Sequence, residues 1–220
     1  YLRTPEAIAQ ELNKTEVMRN ILQTSELTDT ITKIKVKLMQ VKDVRGTANR
    51  VTESQILDDI ELFELKAFSL LVVEMRELLL SANITVVSLP DLEPVVNILD
   101  PEKMRIPHFY VYDAYSPELA ALRAKMKTLK MDEKTEERVL DQLQFEHTEL
   151  EDQIREKLSE QIHPYKKEIN EALTNTATLD ILLAKAQQTI DMQLCKPEIS
   201  SGTTHYIKIF NPQVKEVLWQ

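Results

Sequence analysis

The chain contains very little glycine, cysteine or tryptophan: two glycines, one cysteine and one tryptophan in 220 residues. A phosphate-binding G-x-x-x-x-G-K-[ST] loop needs a glycine followed by lysine, and neither Gly46 nor Gly202 is followed by lysine. Because Cys195 is the only cysteine, an internal disulfide and a four-cysteine zinc site are both excluded. We predict a cytoplasmic protein in which these residues do not hydrolyse ATP by a P-loop and Cys195 is a small core residue.

The chain also lacks a basic excess and a long apolar run. Its formal net charge is −9, whereas coating nucleic acid requires clustered lysine and arginine, so any DNA contact must be local. The longest apolar stretch, 68–80, is interrupted by Glu74, Arg76 and Glu77 and is shorter than the roughly 20 residues that span a bilayer. No membrane partner is predicted.

Leucine, glutamate, lysine, glutamine and alanine are abundant, and 43% of the residues are hydrophobic. This composition is typical of long helices around a core, and it predicts an all-α fold: a multi-helix core with a long antiparallel helical lever arm. Thr4 and Pro5 indicate a helix that begins there and ends near 24–25. Further helices are expected at about 25–41, 56–80, 88–99, 116–130, 143–173 and 178–193, with the 143–173 arm kinked or split at Pro164.

Two kinds of interruption are expected between these helices. The segment 44–50 should break the helical pattern, and residues 52–55 could cap the helix that follows. Apolar alternation permits a few short strands near 106–112 and 204–210. A lone strand at 204–210 would need a partner sheet that these residues do not supply.

The arm carries an apolar stripe at three-four spacing from Leu143 to Leu173. Such a stripe can pack inside its own chain, which is the default interpretation, or it can pair with a partner helix. Acidic residues outnumber basic residues between Asp132 and Glu171, so this arm is a poor candidate for gripping DNA.

No pattern of residues predicts a catalytic, cofactor or metal site in this chain. The four histidines are scattered, and neither a nucleophile elbow nor an HExxH motif is present. The acidic pairs 58–59 and 151–152 have oxygen ligands for a cation, but on helices such pairs are more often a solvated face.

One basic patch is the only candidate for contacting phosphate. Its members lie in and just after the second expected helix: Lys33, Lys35, Lys37, Lys42, Arg45 and Arg50. No aromatic residue interleaves with them, so base stacking is not indicated. The alternative interpretation is a solvated helix face.

Four stretches, in order along the chain, resemble the middle region of the MutS family of DNA repair ATPases. They are Val44-Arg45-Gly46-Thr47 with Leu57-Asp58-Asp59-Ile60-Glu61-Leu62-Phe63-Glu64-Leu65, Tyr112-Asp113-Ala114-Tyr115-Ser116-Pro117-Glu118-Leu119-Ala120-Ala121-Leu122-Arg123, Leu179-Asp180-Ile181-Leu182-Leu183-Ala184-Lys185-Ala186 with Lys196-Pro197-Glu198-Ile199, and Asn211-Pro212. The likeness is greatest to the MutS-II and related branches, which lack mismatch-recognition domains.

The resemblance implies a division of the chain into three parts. Residues 1–115 would begin the helical core, 116–178 would form lever helices with a reduced or absent clamp, and 179–220 would return to the core and lead to an ATPase domain. It also implies that the full-length protein is a P-loop ATPase that uses ATP and Mg²⁺, forms a homodimer and binds double-stranded or branched DNA. Direct DNA binding by the region 130–143 is not implied, because there is room for only a short connection there.

Two hypotheses about function follow. In the first, the chain is the core and lever module of a MutS-like repair or recombination ATPase, without catalysis of its own, and it transmits nucleotide state between the ATPase and DNA-contacting parts. In the second, it is a helical scaffold that binds a partner through the 143–173 stripe and has no link to nucleic acid.

Overall fold

The computed structural model describes residues 4–130, 137–199, 203 and 205. Over these ranges the chain folds into α-helices without a β-strand, which confirms the predicted all-α class. The helices are α1 (Pro5–Gln23), α2 (Thr28–Leu38), α3 (Arg45–Thr52), α4 (Asp59–Ser81), α5 (Glu93–Leu99), α6 (Pro117–Lys130), α7 (Glu137–Ile162) and α8 (Lys166–Asp191). Short 3₁₀ turns occupy Ser25–Leu27, Asp113–Tyr115 and His163–Tyr165. None of the described helices is long and apolar enough to cross a membrane.

Local capping sets the ends of several helices. The Thr4 hydroxyl accepts a hydrogen bond from the Ala7 N–H at 3.2 Å, as its position before Pro5 predicts. The cap predicted at 52–55 is wrong, because α4 begins one turn later. There Asp58 accepts from the Glu61 N–H at 2.9 Å and the Glu61 carboxylate accepts from the Asp58 N–H at 3.0 Å, forming a capping box.

In the segment 44–50, only Val44 lies outside a helix, because α3 begins at Arg45, so the break predicted for these residues is wrong. Thr47, Ala48 and Val51 of α3 are buried, so packing of this short helix outweighs the low helix propensity of Gly46. Gly46 itself is exposed, and a Cβ placed on it would meet nothing within 4 Å.

No strand forms at 106–112, so that prediction is also wrong. Phe109, Val111 and Tyr112 are buried there. The Phe109 and Tyr112 rings pack edge to face, with 5.9 Å between their centroids. The apolar alternation of this segment therefore reflects side chains anchored in a helical core. The predicted strand at 204–210 lies outside the described residues, apart from His205.

A large hydrophobic core joins α1 to α5 with the start of α6, the second half of α7 and α8. Its fully buried members include Met18 of α1, Leu62 of α4, Ile162 of α7 and Ile169 of α8. The 143–173 stripe is thus packed within its own chain, as the default interpretation predicted.

The second cluster is small and lies between α6 and the first half of α7. Leu122, Met126 and Leu143 are its buried members, with Leu129 and Leu150 packed against them. Since Met126 packs near Leu143 while Arg123 reaches Glu151, the two helices run antiparallel and form a hairpin.

Pro164 splits the arm, as predicted, and the joint is attached to the core. The helix α7 ends at Ile162 and α8 begins at Lys166 after one 3₁₀ turn. His163 Nδ1 lies 2.9 Å from the Val51 carbonyl oxygen and 3.0 Å from the Ser54 hydroxyl oxygen. From Lys166, α8 runs unbroken to Asp191, so the helix expected at 178–193 is its second half. The division of the chain at 115 and 178 stays a prediction.

Candidate functional site

The base of the α6–α7 hairpin holds a network of charged side chains, which we call the hairpin junction. It consists of Asp59, Asp113, Arg123, His147, Glu151, Asp152 and Arg155. The network joins the two hairpin helices to each other, to the segment before α6 and to the start of α4. It therefore lies where the hairpin meets the main core.

Arg123 is the central side chain of the junction. Its Nη1 donates to the Val111 carbonyl oxygen at 2.8 Å and to Asp113 Oδ1 at 2.5 Å, and its Nη2 donates to Glu151 Oε1 at 2.7 Å. Its Nε lies 3.0 Å from His147 Nε2. One guanidinium thus fixes the spacing between α6, α7 and the chain that precedes them.

Arg155 makes the second attachment. Its Nε and Nη2 donate to the two carboxylate oxygens of Asp59 at 2.8 and 3.0 Å, a two-bond geometry that gives directional as well as electrostatic specificity. On its own helix Arg155 also reaches Glu151, four residues earlier, and Asp152, three residues earlier. It thereby ties α7 to the first turn of α4.

The pKa values of Arg123 and Arg155 are both raised above their ordinary range, and the causes differ between the two. The hydrogen bonds that Arg155 donates to the Asp59 carboxylate are the main reason for the raised pKa of Arg155. Burial alone would lower the pKa of Arg123, but its hydrogen bonds to Asp113 and Glu151 outweigh that effect. Both arginine side chains therefore stay charged throughout the physiological range.

A buried cluster next to the junction ties the chain before α6 to the middle of α4. Lys66 is fully buried, and its Nζ lies 2.9 Å from Asp100 Oδ1 and 3.1 Å from the Tyr112 hydroxyl. The Tyr112 hydroxyl donates to the His108 carbonyl oxygen, and Asp100 Oδ2 accepts from the Arg105 N–H at 2.7 Å. Every polar group in this cluster has a partner, as buried charge requires.

The pKa of Asp100 shows the balance in that cluster. Burial acts to raise it, but the hydrogen bonds from the Arg105 N–H and from Lys66 outweigh burial and hold it below its ordinary value. Asp100 therefore stays a carboxylate facing Lys66. Because Tyr112 lies between Val111 and Asp113, which both bind Arg123, the buried cluster and the hairpin junction are consecutive along the chain.

The basic patch predicted from sequence does not form one surface. Three of its members point to different helices: Lys33 pairs with Asp29 of its own helix, Lys35 donates to Gln187 of α8, and Lys37 pairs with Glu74 of α4 at 2.6 Å. A step of two residues along an α-helix corresponds to a rotation of about 200° around its axis. Lys35 therefore lies on the opposite side of α2 from Lys33 and Lys37.

The other three members lie around the connection between α2 and α3. Arg45 binds both carboxylate oxygens of Asp43 and holds the pKa of that acid at about 2. Arg50 lies 3.1 Å from a carboxylate oxygen of Glu61. Lys42 alone has no hydrogen-bond or ion-pair partner among the residues that the structure describes. Phosphate contact by this patch stays a prediction, with most of its charge already matched inside the chain.

Two cavities flank the α2–α3 connection, residues 39–44. The first, of about 370 Å³, lies against α4 and is lined by Phe63, Ala67 and Leu71 with Arg105 at its edge. The second, of about 720 Å³, lies between the connection and α8. Lys42 and Phe68 line both.

The junction was not predicted from sequence, although part of its signal was visible. The acidic pairs 58–59 and 151–152 were considered as cation ligands, but Asp58 caps α4 and the other three carboxylates bind arginine. The i+4 and i+3 spacing from residues 151 and 152 to Arg155 could have suggested the pairs on α7. Nothing in the sequence links Arg155 with Asp59, which are 96 positions apart.

One further expectation, the position of Cys195, can be compared with the structure. Cys195 is exposed, so its prediction as a core residue is wrong. Over the described ranges, no group of histidine, cysteine or acidic side chains is arranged to hold a metal ion.

A scan of protein-family models matches no family to this chain, and a search of curated proteins finds no matching relative.

Proposed function

We propose that this chain is the core and lever module of a MutS-like DNA repair or recombination ATPase. In this proposal it transmits nucleotide state between the ATPase domain and the DNA-contacting parts, and it performs no catalysis itself. The ATP, Mg²⁺, DNA and homodimer contacts belong to the full-length protein. The proposal rests on the four resembling stretches and on one structural observation, the charged junction that attaches a stiff hairpin to the core.

That attachment suits transmission because it is made at two points. Arg123 binds the chain segment that carries Tyr112, whose hydroxyl contacts the buried Lys66 of α4, while Arg155 binds the start of α4. A shift of α4 therefore has two ionic routes to the hairpin, and the helices on either side are long and contain no glycine. Transmission of this kind requires two arrangements of the junction whose populations the nucleotide biases.

The alternative is a helical scaffold that binds a protein partner. The stripe assigned to that partner is buried within the chain at Leu143, Ile154, Leu158 and Ile169. A scaffold would therefore need a different surface, and no observation in the structure favours one over the ATPase module.

The first experiment is to read the coding sequence downstream of residue 220. A strand followed by a G-x-x-x-x-G-K-[ST] loop supports the module, whereas an unrelated domain or an immediate stop codon contradicts it. The outcome of this sequencing experiment does not depend on whether the hairpin junction transmits movement.

The second experiment tests transmission in the full-length protein, which in this proposal includes the ATPase domain. The ratio of DNA affinities with ATP and with ADP is measured by fluorescence anisotropy for the Arg123→Ala and Arg155→Ala variants. We expect the ratio to fall toward one, with ATP affinity retained. Arg138→Ala, on the exposed side of α7 near the hairpin tip, is the matched control and should leave the ratio unchanged. An unchanged ratio in both junction variants would contradict the proposed transmission.

A further inference from the structure

The smaller of the two cavities, which we call the α4 cavity, lies on an apolar face of α4. Phe63, Ala67 and Leu71 recur every four residues, so they share this face, and all three are only half-buried. The small Ala67 side chain stands between two larger ones, which leaves room between them. Buried apolar side chains also line the cavity: Val44, Phe68 and Leu70.

The size and the walls of the α4 cavity suit a small molecule. Its volume is about 370 Å³, within the roughly 300–1,000 Å³ of small-molecule sites, which are mostly apolar with a few polar groups. Its walls come from three separate parts of the chain: α4, the α2–α3 connection, and the segment that carries Arg105 and Pro107. A molecule in the cavity would therefore contact all three parts.

The charged side chains that line the α4 cavity are of both signs. Lys42 and Arg105 are positive, whereas Glu64 and Glu74 are negative. Arg105 and Glu74 already have ion-pair partners that lie outside the lining. A charged molecule of either sign would lie near a like charge, so this lining favours a neutral ligand.

Glu64 supplies a hydrogen-bond acceptor in the wall of the cavity. It is half-buried, and its Oε2 accepts from the Thr47 hydroxyl at 2.8 Å, which fixes the position of the carboxylate. The other oxygen, Oε1, has no partner among the residues that the structure describes, and it is not one of the enclosed polar atoms. An N–H group of a bound ring can donate to this oxygen.

We propose that the α4 cavity binds a neutral aromatic molecule with one N–H donor, of the indole class. The ring lies against Ala67 between Phe63 and Leu71, and its N–H donates to Glu64 Oε1. This site is separate from the hairpin junction, and the proposal does not depend on the ATPase module.

The test titrates the chain with indole and follows the amide chemical shifts of a ¹⁵N-labelled sample. For a ligand of this size we expect a dissociation constant on the order of 0.1–1 mM. Shifted amides should cluster at Val44, Ala67 and Leu71, which line the cavity. Indole-3-acetate and tryptamine add a negative and a positive charge, and both should bind about three- to tenfold more weakly. Equal binding of indole and both charged forms would contradict a site for neutral molecules.

The contact with Glu64 is tested with 1-methylindole, which keeps the ring but lacks the N–H. We expect it to bind the natural chain about fivefold more weakly than indole, as for the loss of one hydrogen bond to a partly solvated charged group. Glu64→Gln keeps an oxygen for Thr47 but replaces the other acceptor by an amide donor. The ratio of the two dissociation constants should then fall to about one. An unchanged ratio in Glu64→Gln would overturn this contact.

A matched pair of alanine variants separates the α4 cavity from its neighbour. Ala67→Leu fills the α4 cavity and should abolish binding, while Ala177→Leu, in the cavity beside α8, should leave the affinity for indole unchanged. Neither alanine is fully buried, and leucine is also a good helix former, so both variants should give the circular dichroism spectrum of the natural chain. The proposal is overturned if indole shifts no amide of the cavity at about 10 mM, or if the two leucine variants bind it equally.

Discussion

The main core and the hairpin tip are stabilised in different ways. The core buries apolar side chains from all eight described helices, including Leu119 of α6, whereas the tip, formed by the rest of α6 and the first half of α7, has a small cluster whose buried members are Leu122, Met126 and Leu143. Regions with few buried apolar contacts open at a lower free energy than the rest of a protein. The comparison indicates that the tip can open or shift while the core stays folded.

The two regions also use charge differently. In the core, Lys66 and Asp100 are shielded from water, so losing one partner leaves an isolated buried charge. At the junction, Arg123 remains 26% exposed and Arg155 17% exposed, so water offsets part of any loss. The core pair is therefore costly to break, and the junction pairs can exchange partners at a smaller cost.

Breaking the core pair should have the largest effect. Asp100→Ala leaves the Lys66 ammonium buried opposite a methyl group, and we expect the free energy of unfolding to fall by about 3–5 kcal/mol. The measurement is urea denaturation followed by circular dichroism. Adding Lys66→Met should recover part of the loss, because the uncompensated charge is then gone. A loss below about 1 kcal/mol in the single variant would contradict burial of the pair.

Leu143→Ala should destabilise the tip without loosening the core. Removing this buried leucine should cost about 2–3 kcal/mol, the lower part of the range for leucine truncation, since the small cluster can partly collapse. Hydrogen exchange should become faster in α6 and the first half of α7, while α4 and α8 stay protected. Leu62→Ala in the core is the control and should speed exchange throughout. Equal loss of protection in α4 after Leu143→Ala would show that the tip and core unfold together.

Arg123→Ala should have a smaller and local effect. It removes charged hydrogen bonds to Asp113 and Glu151, and we expect a loss of about 1–2 kcal/mol, reduced by solvent access. Faster exchange should appear in 111–130 and in the part of α7 that faces it. Arg138→Ala should change stability by less than about 0.5 kcal/mol. The same cost for both arginines would remove the distinction between junction and surface.

Tyr115→Phe should have the smallest effect and should depend on pH. Its hydroxyl donates to the Ile98 carbonyl oxygen at 3.0 Å, and losing that bond should cost about 1 kcal/mol at neutral pH. Burial is the main cause that raises the pKa of Tyr115 well above its ordinary value. The neutral phenol is favoured in the fold, so this stability is complete below the unfolded pKa of about 10 and is lost as pH rises above it. Denaturation between pH 9 and about 11 should show a steeper decline for the natural chain than for Tyr115→Phe.

Features set by a few neighbouring residues were the ones that sequence predicted. Pro5 after Thr4 gives the start of α1, and Pro164 gives the end of α7, because proline chemistry acts within one helical turn. The short α3 was missed since burial of Ala48 and Val51 depends on helices far away in sequence. The segment at 106–112 was misread because its alternation reflects ring packing in a helical core.

The hairpin junction likewise combines local contacts that follow from the sequence with long-range contacts that do not. The pairs within α7 follow helical spacing, but Arg155 meets Asp59 only because α7 crosses the start of α4. The basic patch was proposed from a count of charges, and its partners Gln187 and Glu74 lie on other helices. Helical geometry alone could have separated Lys35 from Lys33 and Lys37 at the outset.

The attachment of α7 at Arg155 also has a geometric consequence. Glu137 lies eighteen positions before Arg155, a length of roughly 27 Å of helix at 1.5 Å per residue. If that part of α7 turned as a rigid rod by about 5° at Arg155, its far end would travel roughly 2 Å. A small rearrangement of the hydrogen bonds near Asp59 that turned α7 by this angle would thus displace the far end of the helix by roughly 2 Å. In such a turn the far end of α7 would move much farther than the Arg155–Asp59 contact at its base.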